Sequence, residues 1–204
     1  MEKEILAALE IADHEVRLLV GQFFNGRLNI LKVERLKLDV EFGTRDKQIQ
    51  EAIRKVIVNA SRNVETVIHS VLLIVDGDNM QRVRKRIDVE TAGRVGVGDI
   101  KRAYQGLNQL KGPDQTILVN KMISKFIVNG ISTRKFPVGE HADKVSFDVD
   151  LYYGDMDTVF SLVSCVEGAG LKIIDLVFDD IGFGKEASLF EASIATPIVS
   201  IFIE

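Results

Sequence analysis

The chain has 204 residues, 46% hydrophobic and 27% charged, with a formal net charge of −4. This balance suits one large folded domain or two small ones and excludes a fibre or a disordered chain. A net negative charge also argues against general affinity for nucleic acids and anionic lipids, which require a cationic surface.

Ile5–Ile11 is a nearly continuous apolar run and reads as a buried strand. Val16–Phe24 and Leu28–Leu38 read as two more, with Asn25-Gly26 between them as a hairpin turn that tolerates positive φ. An antiparallel meander is therefore expected first. Ile49, Ala52, Ile53, Val56, Ile57 and Ala60 then fall on one helical stripe, with Thr44 or Asp46 available as N-cap. His69–Val75 follows as a buried strand, so a helix should pack on a sheet. After Asp76-Gly77-Asp78 come a basic strand, Met80–Glu90, and a Gly-rich link. A helix is expected from Asp99, burying Ile100, Ala103, Tyr104, Leu107 and Leu110. Long strands near Thr116–Val128 and Val145–Tyr153 complete the strand-helix-strand-strand pattern. A helix over about 155–169 should bury Met156, Val159, Phe160, Val163 and Val166, with Gly168 and Gly170 as stop signals. The chain closes with a strand at Leu171–Phe178, a helix at Gly182–Ile194 and an apolar strand at Pro197–Ile203.

Charge is unevenly placed. Residues 80–144 hold 13 Lys/Arg against 6 Asp/Glu, so a basic module stands between acidic flanks. Its strongest patch is Arg82, Arg84, Lys85 and Arg86, of which the three arginines would line one strand face. It is expected to be a protein-binding or solvated edge first and an anionic-polymer site second, because no aromatic residues interleave it for base stacking. Asp148 and Asp150 share a strand face with Ser146 and Tyr152, opposite Val145, Phe147, Val149 and Leu151; this alternation reads as a solvated face.

Enzymatic motifs fail in turn. Gly96-Val97-Gly98 lacks the third glycine of a dinucleotide loop, and Asp99 would repel phosphate there. Gly184-Lys185 has Asp179 and Glu186 where a P-loop needs glycine and Ser/Thr. His14, His69 and His141 have no partner at metal-ligand spacing, and Cys165 sits beside an apolar stripe as a small packing residue. The lone cysteine suits a reducing compartment. Five apolar residues after Glu4 are too few for a signal-peptide core, and no later run would span a bilayer, so the expected location is cytoplasmic.

The order of elements and several local stretches resemble the FtsA family, the actin-like bacterial cell-division proteins. Leu9-Glu10-Ile11-Ala12-Asp13-His14-Glu15-Val16-Arg17-Leu18-Leu19-Val20-Gly21 resembles that family's first hairpin, followed by Leu28-Asn29-Ile30-Leu31. Val67-Ile68-His69-Ser70-Val71 resembles its next strand. Phe126-Ile127-Val128-Asn129-Gly130 with Pro137-Val138-Gly139 resembles the inserted module, and Cys165-Val166-Glu167 with Ala169-Gly170-Leu171 the helix leading back.

The resemblance implies an α/β fold. An actin-like (ribonuclease H-like) first subdomain would span residues 1–79 and 170–196, with an inserted SHS2-type strand-helix-strand-strand α+β module at 80–169. Residues 197–204 would open a second domain absent here. The resemblance also places the phosphate hairpin at Glu10, Ala12, Asp13 and His14. Where the family has Asp-Ile-Gly-Thr/Ser, this chain has Glu10-Ile11-Ala12-Asp13. A methyl group replaces the glycine hydrogen, and a carboxylate at ~4 Å from a phosphate would cost about 4 kcal/mol at an effective dielectric near 20. Phe202 and Glu204 stand where the second phosphate hairpin would have an acidic residue and a glycine. The expected protein is therefore no enzyme and takes no cofactor, ATP being the family's ligand. Its partners would be division-machinery proteins or a second copy, met through the inserted module, at the division septum and without a membrane anchor in this chain. The alternatives are a piece of an actin-like nucleotide-dependent ATPase and a pilus-assembly type of actin-like scaffold.

Overall fold

The computed structural model describes residues 4–12, 14–24, 27–39, 46–77, 80–107 and 110–178. In chain order its elements are β1 (Glu4–Ala12), β2 (Glu15–Phe24), β3 (Arg27–Lys37), α1 (Asp46–Val64), β4 (Ser70–Val75), β5 (Gln81–Glu90), α2 (Val97–Gly106), β6 (Thr116–Val128), β7 (Ile131–Thr133), β8 (Lys144–Asp155), α3 (Met156–Gly168) and β9 (Lys172–Phe178). They fall into two units. Among the described residues one holds 4–77 and 156–178, and the other, the inserted unit, holds 80–155.

The first unit is a five-stranded sheet in the order β3-β2-β1-β4-β9. The meander is present: β1 pairs antiparallel with β2, and β2 with β3, while β4 runs parallel to both β1 and β9. Asn25-Gly26 lies outside the described residues; on either side of it Phe24 pairs with Arg27. Leu9, Val16, Leu18 and Leu73 are fully buried in this sheet. The helix α1 buries Ile49, Ala52, Ile53, Val56, Ile57 and Ala60, the stripe read from the sequence. Asp46 is its first helical residue rather than a cap, where its charge opposes the positive end of the helix dipole.

The position of α3 differs from expectation. The sequence reading joined residues 156–168 to the inserted module, whereas α3 packs with the first unit. Its buried stripe is Val159, Leu162, Cys165 and Val166, while Met156 and Phe160 are exposed. Its C-terminal turn meets α1, where Arg54 Nη2 donates to the Gly168 carbonyl. A Cβ at Gly168 would lie 2.5 Å from Gln50 Nε2, so glycine permits this close approach. Gly170 ends the turn at φ +92°, in the left-handed region that favours glycine. Burial, and then the nearby charge of Asp46, push the Cys165 thiol up to about 11, which keeps it protonated and unreactive at neutral pH.

The inserted unit is a four-stranded sheet in the order β5-β8-β6-β7, antiparallel throughout. One face carries a core of Val95, Ile100, Leu107, Phe126, Phe147, Val149, Leu151 and Tyr153, with Ala103, Tyr104 and Leu110 packed against it. The odd-numbered residues of β8 supply this face, as its alternation requires. The three-residue strand β7 is an addition to the expected pattern. It returns on β6 through Asn129 and Gly130, at φ 51° and 81°, angles that suit a tight hairpin turn. The helix α2 starts two residues before Asp99. Gly96 is the N-cap, and the Asp99 carboxylate accepts its N–H at 3.1 Å. Asp99 therefore closes the helix end from inside, a role open to an acidic residue three places into a helix. The expected helix at 182–194 and strand at 197–203 lie outside the described residues.

Candidate functional site

The first candidate is the β1–β2 hairpin. Ala12 pairs with Glu15 and Glu10 with Arg17, so these side chains meet at the hairpin end. Arg17 Nε donates to Glu15 Oε1 at 2.6 Å, and Arg17 Nη1 donates to Glu10 Oε1 at 3.2 Å. The hydrogen bond to Glu15, followed by the charges of Glu10 and Glu15, outweighs the opposing effect of burial and raises the Arg17 pKa above its ordinary value. Two carboxylates surround one guanidinium, leaving this cluster with a net negative charge. His14 is exposed, and its carbonyl accepts the Leu38 N–H at 2.6 Å. Asp13 lies outside the described residues. Of the expected hairpin residues, Glu10 thus gains a structural partner in Arg17, which the sequence reading did not single out. A basic residue seven positions after an acidic one across a short turn was the available signal.

The second candidate is the basic strand β5, and one expectation changes here. Arg82, Arg84 and Arg86 do line one face, but Lys85 points to the other, half-buried in the row of Val83, Ile87 and Val89. The alternation of a strand forces this separation. Asp148 and Asp150 are not on a solvated face: both are buried, Asp150 completely. The β5–β8 register sets Arg84 opposite Asp150 and Arg86 opposite Asp148. Arg84 donates from Nε to Asp150 Oδ1 at 2.8 Å and from Nη2 to Oδ2 at 3.1 Å, a two-pronged grip. Arg82 reaches the same carboxylate at 2.5 Å and lies 5.8 Å from the centre of the Tyr152 ring. Arg86 grips Asp148 through Nε at 2.7 Å and Nη2 at 3.1 Å, and Lys125 of β6 adds a contact at 3.3 Å. Asp88 extends the row, with Lys144 Nζ at 2.8 Å and Ser146 Oγ donating at 2.6 Å.

Burial alone would push the Asp150 carboxyl up, but the hydrogen bonds from Arg84 and Arg82 prevail and hold it below the usual carboxylate range. The hydrogen bond from Arg86 does the same for Asp148 against its burial. Four cations share two buried carboxylates, so this face stays cationic although each arginine has an internal partner. The result is a ladder of charge pairs running across β5, β8 and β6. Among the described residues, no cluster of three or more His, Cys, Asp or Glu could hold a metal ion, and no helix is long and apolar enough to cross a membrane.

No family model matches the chain. It is 23% identical over 211 aligned positions to the cell division protein FtsA of Bacillus subtilis (strain 168), covering 97% of this chain and 47% of that relative. The chain is FtsA-like. It is also 18% identical to FtsA of Staphylococcus epidermidis, covering 98% of this chain and 45% of the relative. It thus spans about half the length of the curated relatives it matches. Among solved structures it superposes on a chain of the PilM-PilN type IV pilus biogenesis complex with a TM-score of 0.51, over 85% of this chain and 47% of that one. At 13% identity that likeness is one of fold, and the fold is actin-like. The α/β architecture expected from the FtsA resemblance is therefore the observed one.

Proposed function

We propose that the chain acts as an FtsA-like scaffold of the cell-division apparatus, working through protein–protein contacts rather than nucleotide turnover. The observation that carries this reading is FtsA similarity along 97% of the chain. The hairpin supports the non-catalytic part: Glu10 and Glu15 surround Arg17 where an actin-like protein would hold phosphates. A phosphate brought there would meet two carboxylates and an arginine that is already engaged. The docking surface is the charged face of the inserted unit, centred on Arg82, Arg84 and Arg86, and the site of action is the cytoplasmic side of the division septum. The actin-like fold shared with the PilM complex fits a pilus-assembly scaffold as the second reading.

A fluorescent fusion in dividing bacteria separates the two. A band at midcell supports the division scaffold, and foci at the poles or pilus bases would replace it with the second reading. Calorimetric titration of the chain with Mg-ATP should give no saturable heat. Micromolar binding would overturn the non-nucleotide part of the proposal.

A further inference from the structure

Among the described strands, β5 is an edge. It pairs with β8 on one side and with no described strand on the other. Its register with β8 is unbroken over Gln81–Glu90, and the Thr91 N–H donates to the Asp143 carbonyl at 2.8 Å just beyond. That bond sets the phase of the ladder: odd-numbered residues turn their backbone groups toward β8, and even-numbered ones turn them outward. The outward backbone groups thus belong to Arg82, Arg84, Arg86, Asp88 and Glu90. Their side chains also share one face. The first three are cationic and the last two anionic, so the edge is polar from end to end.

We propose that this edge pairs with the same edge of a second copy, antiparallel, about a two-fold axis through Ile87. This rests on the scaffold reading for its purpose, and it names the surface through which copies associate. In that register Arg84 faces Glu90 of the second copy and Arg86 faces Asp88, and symmetry repeats both pairs. Each falls at a hydrogen-bonded position, because even residues meet even residues. Ile87 meets its counterpart on the axis, on the core side of the sheet, and the two four-stranded sheets become continuous.

The charges select this register. An axis at Arg86 sets that guanidinium against itself, and one at Asp88 does the same with a carboxylate. An axis at Lys85 sets Arg84 against Arg86. Only the Ile87 axis, among these four, gives opposite charges at every even position from 84 to 90, and directly opposed like charges destabilise a ladder. The side chains have capacity for new partners. Arg84, Arg86 and Asp88 are 59%, 56% and 52% exposed, and both arginines use Nε and Nη2 on β8, leaving Nη1 for a new acceptor. Charged residues usually protect an edge from indiscriminate pairing. Here their segregated order admits one partner in one register.

The test is sedimentation velocity on the full chain, with cross-linking to locate the axis. The wild-type chain should form dimers that weaken as salt is raised. Replacing Asp88 and Glu90 together by arginine sets like charges at all four facing pairs and should weaken association at least tenfold. Should that variant fail to fold, cysteine cross-linking decides alone. Ile87→Cys should give a disulfide-linked dimer under mild oxidation, and Val83→Cys, on the same face of the same strand, should not. A wild-type chain that stays monomeric throughout its soluble range overturns the proposal. So does undiminished association of the folded double variant, or equal cross-linking at positions 83 and 87. Septal localisation is read separately: a monomer at midcell sinks this inference alone, and a dimer absent from midcell sinks the scaffold reading alone.

Discussion

Asp150 shows how one carboxylate organises a sheet face. It is wholly buried, and its charge is tolerated because Arg82 and Arg84 approach it from the exposed edge. Removing it should cost about 2 kcal/mol, the range for hydrogen bonds to a charged group, because the arginines it releases can return to water. Thermal or urea unfolding of Asp150→Ala checks this. The pH dependence follows from the same pairs. The Asp148 and Asp150 carboxyls lie below their ordinary range in the fold, so unfolding raises their proton affinity. Their contribution is complete above the unfolded value, about pH 4, and is lost as pH falls through the lower folded values. Stability should therefore drop on acidification below about pH 4. Asp150→Asn should flatten that drop, and an unchanged acid limb would show that the titrating groups lie elsewhere.

At the scale of elements, packing around β8 depends on one absent side chain. A Cβ added to Gly112 would lie 2.3 Å from the Tyr153 ring, which is held among core residues. Gly112→Ala must move that ring or the 110–115 loop, and the expected cost is about 1–3 kcal/mol, as for other overpacked sites. Chemical denaturation measures it, and a change under about 0.5 kcal/mol, typical of neutral surface sites, would show that the loop yields freely. Most elements were legible from the sequence because each carries its own period. The stripe of α1 and the alternation of β8 are local facts about spacing. What local spacing could not supply was the partner. The helix α3 was assigned to the wrong unit because its contacts with Gln50 and Arg54 lie more than a hundred residues away in the chain. Asp148 and Asp150 read as solvated for the same reason, since the arginines that hold them come from a strand some sixty residues earlier. The matched alternation of Arg84-Lys85-Arg86 and Asp148-Val149-Asp150 was a visible clue. Using it required knowing that β5 and β8 are neighbours. The strands that carry Glu10 and Arg17 were legible as apolar runs, but the Arg17 cluster depends on the strand register.

For the molecule as a whole, the inserted unit has the means to fold alone. Among the described residues its core lies between Val95 and Tyr153, with Val83, Ile87 and Val89 of β5 packed on it. A fragment of residues 80–155 should unfold cooperatively on heating, followed by circular dichroism. Extending it to residue 168 should add no stability, because α3 packs with the first unit. A fragment that folds only when α3 is included would restore the boundary drawn from the sequence.

Gln81 lies opposite Tyr153 in the β5–β8 ladder, so the unit's entry and exit sit on adjacent strands. Such a segment behaves as a cassette. Joining residue 77 to residue 156 through a short Gly/Ser linker should leave a first unit that still unfolds as one body, because none of its sheet ladders passes through the deleted stretch. Recombination at the two junctions could then exchange the whole charged surface in a single event. With the docking role proposed above, choice of partner and survival of the host fold become separate targets of selection, and a lineage can change that surface while leaving the first unit's sheet untouched.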